Sequence, residues 1–422
     1  MDTKTFESPN IHWAKVDEQG RLVLPAEIAA EYGLVPGAEL RIETGSNDLR
    51  LHRPVTQLKK IYVEPTNRCN IKCRTCMRNV WDTELGRMSA DTFQALLNSV
   101  RQIDPAPTLH FSGLGEPLFH PKTPEFIAQA HAAGCRTEIT TNATLLTEAK
   151  ARALIEAGLD LLWVSLDGAT PESYADVRLG AELPGVIAKM KLLRKLRPGG
   201  HHPQPEIGVA FVAMKRNIHE LPEVIRLGRS FGAKHFMVSN VLPYTEEMQA
   251  EMLYEKALRN IAFLPSPWLP KLSLPKMDLE GATREAFLGA LTSGCNINLA
   301  GSNLGGSNDV CVFIESGSLA VGWKGEVAPC PPLLHTHSHY LKGKPRTSYR
   351  HIVGNIQEQD LLSIWQDAEY QAYRRRVQSF AFAPSTYCGG CELTDDNLTD
   401  CFWNPFPACG GCLWAQAVIQ CP

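Results

Sequence analysis

Between residues 57 and 245, short β-rich runs alternate six times with stretches of helical periodicity. The runs read KKIYVEP, TLHFSG, RTEITT, DLLWVSLD, EIGVAFV and KHFMVSN, with amphipathic segments such as SADTFQALLNSVRQI and PEVIRLGRSFG between them. Strands joined by helical crossovers run parallel, so the pattern predicts an α/β core, either doubly wound or a partial (β/α)6 barrel. In both arrangements ligands gather beyond the C-terminal ends of the strands.

The first of those ends carries CNIKCRTC, which holds Cys69, Cys73 and Cys76. Iron–sulfur cubanes take cysteine thiolates, usually four. Three protein ligands leave one iron open, as catalytic zinc sites keep a position for substrate. The chain has thirteen cysteines, and nine of them fall between Cys295 and Cys421. In a reducing compartment such crowding reads as metal ligation rather than a disulfide framework. The polar start MDTKTFESPN lacks an apolar signal core, and no run of eighteen apolar residues occurs, so a cytoplasmic protein is expected. A net charge of −3 gives no global pull toward nucleic acid or anionic membrane.

Cysteines spaced C-x3-C-x2-C after a first strand resemble the radical S-adenosylmethionine (SAM) superfamily, and later segments match it in order. FSGLGEP resembles its glycine-rich segment after the second strand, which implies that Gly113 and Gly115 admit the methionyl amino group with Glu116 nearby. TTNATLL resembles the segment after the third strand, placing Thr140 and Asn142 near SAM; VSLDG resembles that after the fourth, offering Ser165 and Asp167. The resemblance implies a [4Fe–4S] cluster on Cys69, Cys73 and Cys76, with SAM cleaved reductively to a 5′-deoxyadenosyl radical. Thr75 stands where the superfamily usually has an aromatic residue, which leaves the adenine contact unassigned.

The tail holds Cys311, Gly325, Cys330, Cys388, Cys391, Cys401, Cys409, Cys412 and Cys421 in that order. With GEVAPC it resembles the SPASM extension, which implies one or two auxiliary [4Fe–4S] clusters. The spacings from Cys391 to Cys401 and on to Cys409 depart from that pattern. The pairs Cys388-x2-Cys391 and Cys409-x2-Cys412 also match a zinc ribbon, which is the rival reading. HTHSH alternates His335, His337 and His339, which would share one face of a strand and bind metal, or belong to a solvated loop. Cys135, at a helix-to-strand turn, reads as a small buried hydrophobe.

Residues 1–56 contain VDEQGRLVLP and GLVPGAELRIE, and resemble the AbrB/SpoVT swapped-hairpin domain. Such a unit is too small to cover its own apolar face, which predicts a homodimer through 1–56. The segment carries six Lys/Arg against nine Asp/Glu, so DNA binding is not expected. The expected divisions are 1–56, a 57–245 radical SAM core, a 246–290 linker, and a 291–422 cluster-binding domain. The whole layout resembles radical SAM maturases associated with tungsten-containing aldehyde oxidoreductases. That implies a protein client and an electron donor such as ferredoxin or flavodoxin. The alternatives are an AbrB-like regulator sensing iron–sulfur status and a peptide-modifying SPASM maturase for an unrelated client.

Overall fold

The computed structural model describes residues 12–44, 49–81, 83–200, 203–255, 270–278, 280–291, 295–299, 302–304, 310–386 and 391–422. Six parallel strands form as the alternation requires: β1 (Lys60–Val63), β2 (Thr108–Phe111), β3 (Thr137–Thr141), β4 (Leu161–Ser165), β5 (Glu206–Ala213) and β6 (His235–Asn240). They are ordered consecutively across the sheet, the arrangement of a partial α/β barrel. Most residues of the five strands β1 to β5 are buried, as parallel strands flanked by helices must be.

The covering helices dock by apolar stripes. In α1 (Ala90–Val100), Phe93, Leu96, Leu97 and Val100 recur at helical spacing and are all fully buried. The Ser89 hydroxyl accepts from Thr92 N at 3.0 Å and satisfies one of the helix's orphan donors. Phe93 stacks on Phe126 of α2 (Thr123–Ala132) with ring centroids 4.2 Å apart. Cys135 is buried and free, as its position in the turn suggested.

The tail extends the barrel's sheet. Strand β7 (Ser318–Val321) pairs parallel with β1, and β8 (Glu326–Ala328) and β9 (Gly354–Asn355) continue outward antiparallel. Arg374 joins the two parts: its Nε donates to Val55 O at 2.9 Å and its Nη2 to Trp365 O at 2.6 Å. Its guanidinium lies 3.7 Å from the Trp365 ring centroid and 4.2 Å from that of Tyr370.

Two regions differ from the sequence expectation. Residues 246–290 are not simply a linker, because Lys271–Leu274 pairs with Asn296–Leu299, which pairs with Ser302–Leu304. The alternation in KLSL half-buries Leu272 and Leu274 and exposes Lys271 and Ser273, which is strand patterning in a stretch too short to stand out. The HTHSH run is not solvated: His335, His337 and His339 are all at most 4% exposed, and His337–Leu341 pairs with Lys344–Ser348.

Near the start of the chain, Lys15–Val16 pairs with Leu22–Val23 around a turn in which Asp17 accepts from Gln19 N and Arg21 N. Helix Ala26–Glu31 follows directly after Pro25, and a second hairpin pairs Ile42–Thr44 with Leu49–Leu51. Val16, Leu22, Ile42 and Leu49 are each more than half exposed on these hairpins.

Phe93→Ala is expected to cost roughly 3–5 kcal/mol, since the stacked site beside Phe126 is enclosed and collapses poorly. A denaturant midpoint unchanged from the parent would show that this face of α1 does not carry the barrel.

Candidate functional site

The loop after β1 is held by the glycine segment after β2. A Cβ on Gly115 would stand 2.1 Å from Thr66 O and 2.6 Å from Arg68 O, so only glycine lets the two backbones meet. Glu116 N then donates to Arg68 O at 2.8 Å. The Glu116 carboxylate turns inward, accepting from Thr141 Oγ1 at 2.6 Å, Leu118 N at 3.0 Å and Asn142 N at 2.8 Å. Burial raises its pKa, and these three donors oppose the shift.

Two side chains from beyond neighbouring strands reach the thiols. Asn142 Nδ2 lies 3.7 Å from Cys69 Sγ, and Arg178 Nη1 lies 3.8 Å from Cys73 Sγ. Lys72–Cys73 forms a two-residue antiparallel bridge with Arg178–Leu179, which fixes Cys73 opposite Arg178. Arg178 is ion-paired at 2.6 Å with Asp167, whose other oxygen accepts from Val212 N at 2.8 Å. Asp167 is fully buried, so it braces Arg178 from within the protein.

Burial pushes all three thiols up, Cys73 to about 11, and repulsion from Cys76 and Cys69 adds to the Cys73 shift while Arg178 opposes it. Three half-buried thiols close enough to repel as anions suit a cation-rich centre, because metal coordination removes the proton and compensates the charge. The residues present thus fit an iron–sulfur cluster with three protein ligands.

Beside the loop lies a cleft of about 1150 Å³ that opens to solvent. Gly113, Thr140 and Ser165 line it, as does Thr75. Gly115, Glu116, Asn142 and Asp167 do not line it, and Glu116 and Asp167 brace the loops around it through the bonds above. Met77, Leu242, Tyr244 and Trp414 supply an apolar wall.

Several groups here were not found by sequence reasoning. Glu64, just after β1, faces the cavity and meets His335 Nε2 at 3.0 Å. A Cβ on Gly113, which has φ +118°, would stand 2.7 Å from Glu64 Cγ, so this glycine makes room for the carboxylate. His110 also lines the cavity, bonding Glu138 at 3.0 Å and Thr140 Oγ1 at 2.8 Å. Burial pulls its pKa down to about 4 despite Glu138, so near neutrality it is an uncharged prop for Thr140. The signal for Glu64 was its place in IYVEP, five residues before Cys69; nothing local marks His110 or Arg178.

A second cavity, of about 700 Å³, is lined by Cys311, Cys330, Cys409 and Cys412. Cys311 precedes helix Val312–Glu315 and Cys330 follows β8, while Cys409 and Cys412 flank two glycines near the end of the chain. Burial raises the pKa of all four, pushing Cys409 up to about 12. Four thiols around one cavity match the ligand number of an iron–sulfur cubane.

The two pairs of the rival ribbon spacing do not share this cavity. Cys409 and Cys412 share their cavity with Cys311 and Cys330 rather than with Cys391, which is exposed, as is Cys401. Cys388 lies outside the described residues. Cys421 lines the barrel cavity instead, where Trp414 Nε1 donates to its sulfur at 3.3 Å. Cys295 is half-buried ahead of Asn296–Leu299 and lines neither cavity.

Residues 63–228 match the family model for the radical SAM superfamily, and residues 311–392 match that for SPASM, an iron–sulfur cluster-binding domain. The tungsten-containing aldehyde ferredoxin oxidoreductase cofactor-modifying protein of Pyrococcus furiosus is 31% identical, over 86% of this chain and 97% of that protein. The AdoMet-dependent heme synthase of Methanosarcina barkeri is 27% identical, over 78% of this chain and 87% of its own. Among solved structures, Streptococcus suis SuiB bound to S-adenosylmethionine shares the fold, with a TM-score of 0.52 at 17% identity over 79% of this chain and 71% of that one.

Asp167→Ala is expected to cost roughly 3–5 kcal/mol, because it leaves the Arg178 charge buried without its partner. Iron bound at the three-cysteine loop should fall with it. Unchanged unfolding and full iron content in the variant would show that Asp167 does not brace the loop.

Proposed function

Because this chain belongs to the radical SAM superfamily and carries a SPASM iron–sulfur domain, we propose that it matures a tungsten-containing oxidoreductase or that enzyme's cofactor. The observation carrying this reading is that similarity to the Pyrococcus furiosus cofactor-modifying protein spans nearly that whole protein. When bound, the cluster and SAM together supply a 5′-deoxyadenosyl radical after one-electron reduction.

The chain's own residues hold and shield that chemistry. Cys69, Cys73 and Cys76 are the ligands of the SAM-binding cluster, and Asn142 and Arg178 direct N–H groups toward two of them. Hydrogen bonds to ligand sulfurs orient the ligands and tune the metal centre. Gly113, Thr140 and Ser165 make the SAM contacts from the cavity wall, and Glu116 and Asp167 act one layer behind. The apolar wall of Met77, Leu242, Tyr244 and Trp414 excludes water and stray hydrogen donors from a reactive radical. Cys311, Cys330, Cys409 and Cys412 hold an auxiliary cluster.

A ferredoxin or flavodoxin supplies electrons, and a reducing cytoplasm keeps exposed Cys391 and Cys401 as thiols. Among the described residues no helix is long and apolar enough to cross a membrane. The exposed apolar residues of the two N-terminal hairpins support a homodimer through 1–56, with a second copy covering them.

Mass spectrometry of a tungsten oxidoreductase incubated anaerobically with enzyme, reductant and SAM should detect a SAM-dependent change in the protein or its cofactor. Modification of an unrelated peptide, with the oxidoreductase untouched, would overturn the client assignment. Replacing Cys69, Cys73 and Cys76 together with Ala should abolish 5′-deoxyadenosine while leaving about four irons in the tail, or about eight if a second cubane forms. Zinc in place of that iron would restore the ribbon reading. Deleting residues 1–51, which removes both hairpins but keeps Val55 for Arg374, should leave SAM cleavage without client largely intact and yield monomers by light scattering. Truncated protein that remains dimeric would remove the hairpins from the interface.

A further inference from the structure

The four-cysteine cavity contains a buried cation with no matching anion. Arg346 is 4% exposed and lines the cavity. No carboxylate among the described residues lies within ion-pair distance of it, and Asp395 and Asp396 act on it only from further away. Its Nη1 donates to Thr394 O. A Cβ on Gly411 would stand 2.7 Å from Arg346 Cζ, so the guanidinium lies directly on the turn between Cys409 and Cys412. In the antiparallel pair of His337–Leu341 with Lys344–Ser348, Arg346 stands opposite His339. His339 lines the same cavity, is 4% exposed, and has a buried Nδ1 without a hydrogen-bond partner. The Tyr373 hydroxyl lies 3.4 Å from Cys409 Sγ.

An isolated buried charge is costly enough that proteins pair it or leave it in water. An arginine does not lose its proton, so Arg346 needs an anion. The four thiolates supply it once metal holds them ionised, because an all-thiolate cubane carries net negative charge. Reduction makes that charge one unit more negative, with one electron added and no proton. A fixed positive charge therefore favours the reduced form.

We infer that Arg346 is a positioning residue for the auxiliary cluster, setting its reduction potential by an uncompensated positive charge. His339 completes this polar side of the cage. This goes beyond the maturase reading and does not depend on the client, because charge and hydrogen bonds around the sulfurs set cluster potentials whatever the substrate.

The test uses the full-length chain with Cys69, Cys73 and Cys76 replaced by Ala, reconstituted anaerobically and titrated by EPR against potential. The signal lost on Cys330→Ser and Cys409→Ser identifies the cage. Arg346→Met should shift its reduction equilibrium at least tenfold toward the oxidised form, about 59 mV for a one-electron couple. Arg346→Lys, which keeps the charge, should recover most of that shift. Loss of the cluster in Arg346→Met but not in Arg346→Lys would equally support a required charge. An unchanged midpoint in Arg346→Met with iron retained would overturn the inference. So would equal shifts in both variants, cluster loss in both, or a cage that holds zinc and gives no redox signal.

Discussion

Strand β1 is hydrogen-bonded on both sides by parallel partners, to β2 of the barrel and to β7 of the tail. Much of the remaining structure depends on that double pairing. Parallel neighbours end on the same side of a sheet, so the segments leaving β1, β2 and β7 must emerge together. The cysteine loop after β1 and the glycine segment after β2 leave at that end, whereas β8 runs back, so Cys330 lies toward the start of β7, which Cys311 also precedes. The barrel cavity and the four-cysteine cavity nonetheless meet, because Leu242, Pro332 and Trp414 line both. These shared side chains form the partition between them. Arg374 holds the arrangement from the other end of the sheet by tying the chain just before β1 to the tail's helices.

The barrel is legible in the sequence because its signals are local. Six β-rich runs bounded by amphipathic helices declare a parallel sheet, and three close cysteines at a strand end declare a metal loop. Strand β7 is not legible in the same way, since SLAVGWKGEV also suits a plain hairpin and its partner β1 lies some 250 residues earlier. Sequence separation likewise hides the grouping of Cys409 and Cys412 with Cys311 and Cys330. Cys409-x2-Cys412 looks equally like half of a ribbon, and only the fold selects its companions. Glu64 with His335 and Cys73 with Arg178 are long-range pairs of the same kind, with no local mark on either partner's companion.

The HTHSH run misleads for a related reason. Polar, alternating residues ordinarily mark a strand edge or a loop in water. Here His337–Leu341 pairs with Lys344–Ser348, and both His337 and His339 are buried, so a polar pattern ends up inside. Polar side chains persist in a core when the occupant of a neighbouring site is itself charged. His339 and Arg346 are polar groups of that kind, buried against the four-cysteine cavity where no local rule anticipates them.

The two cysteine sites handle positive charge in opposite ways, and this bears on what each centre can do. At the barrel loop, Arg178 reaches Cys73 and is paired at 2.6 Å with Asp167, which offsets part of its field. At the tail cage, Arg346 has no such partner, and its field falls on the thiols. If clusters occupy both sites as proposed, a positive charge left without a paired carboxylate would favour the reduced form of the one it faces. With Leu242, Pro332 and Trp414 shared between the cavities, centres held in the two would be neighbours, and the buried arginine beside each would weight its charge differently according to whether a carboxylate pairs with it.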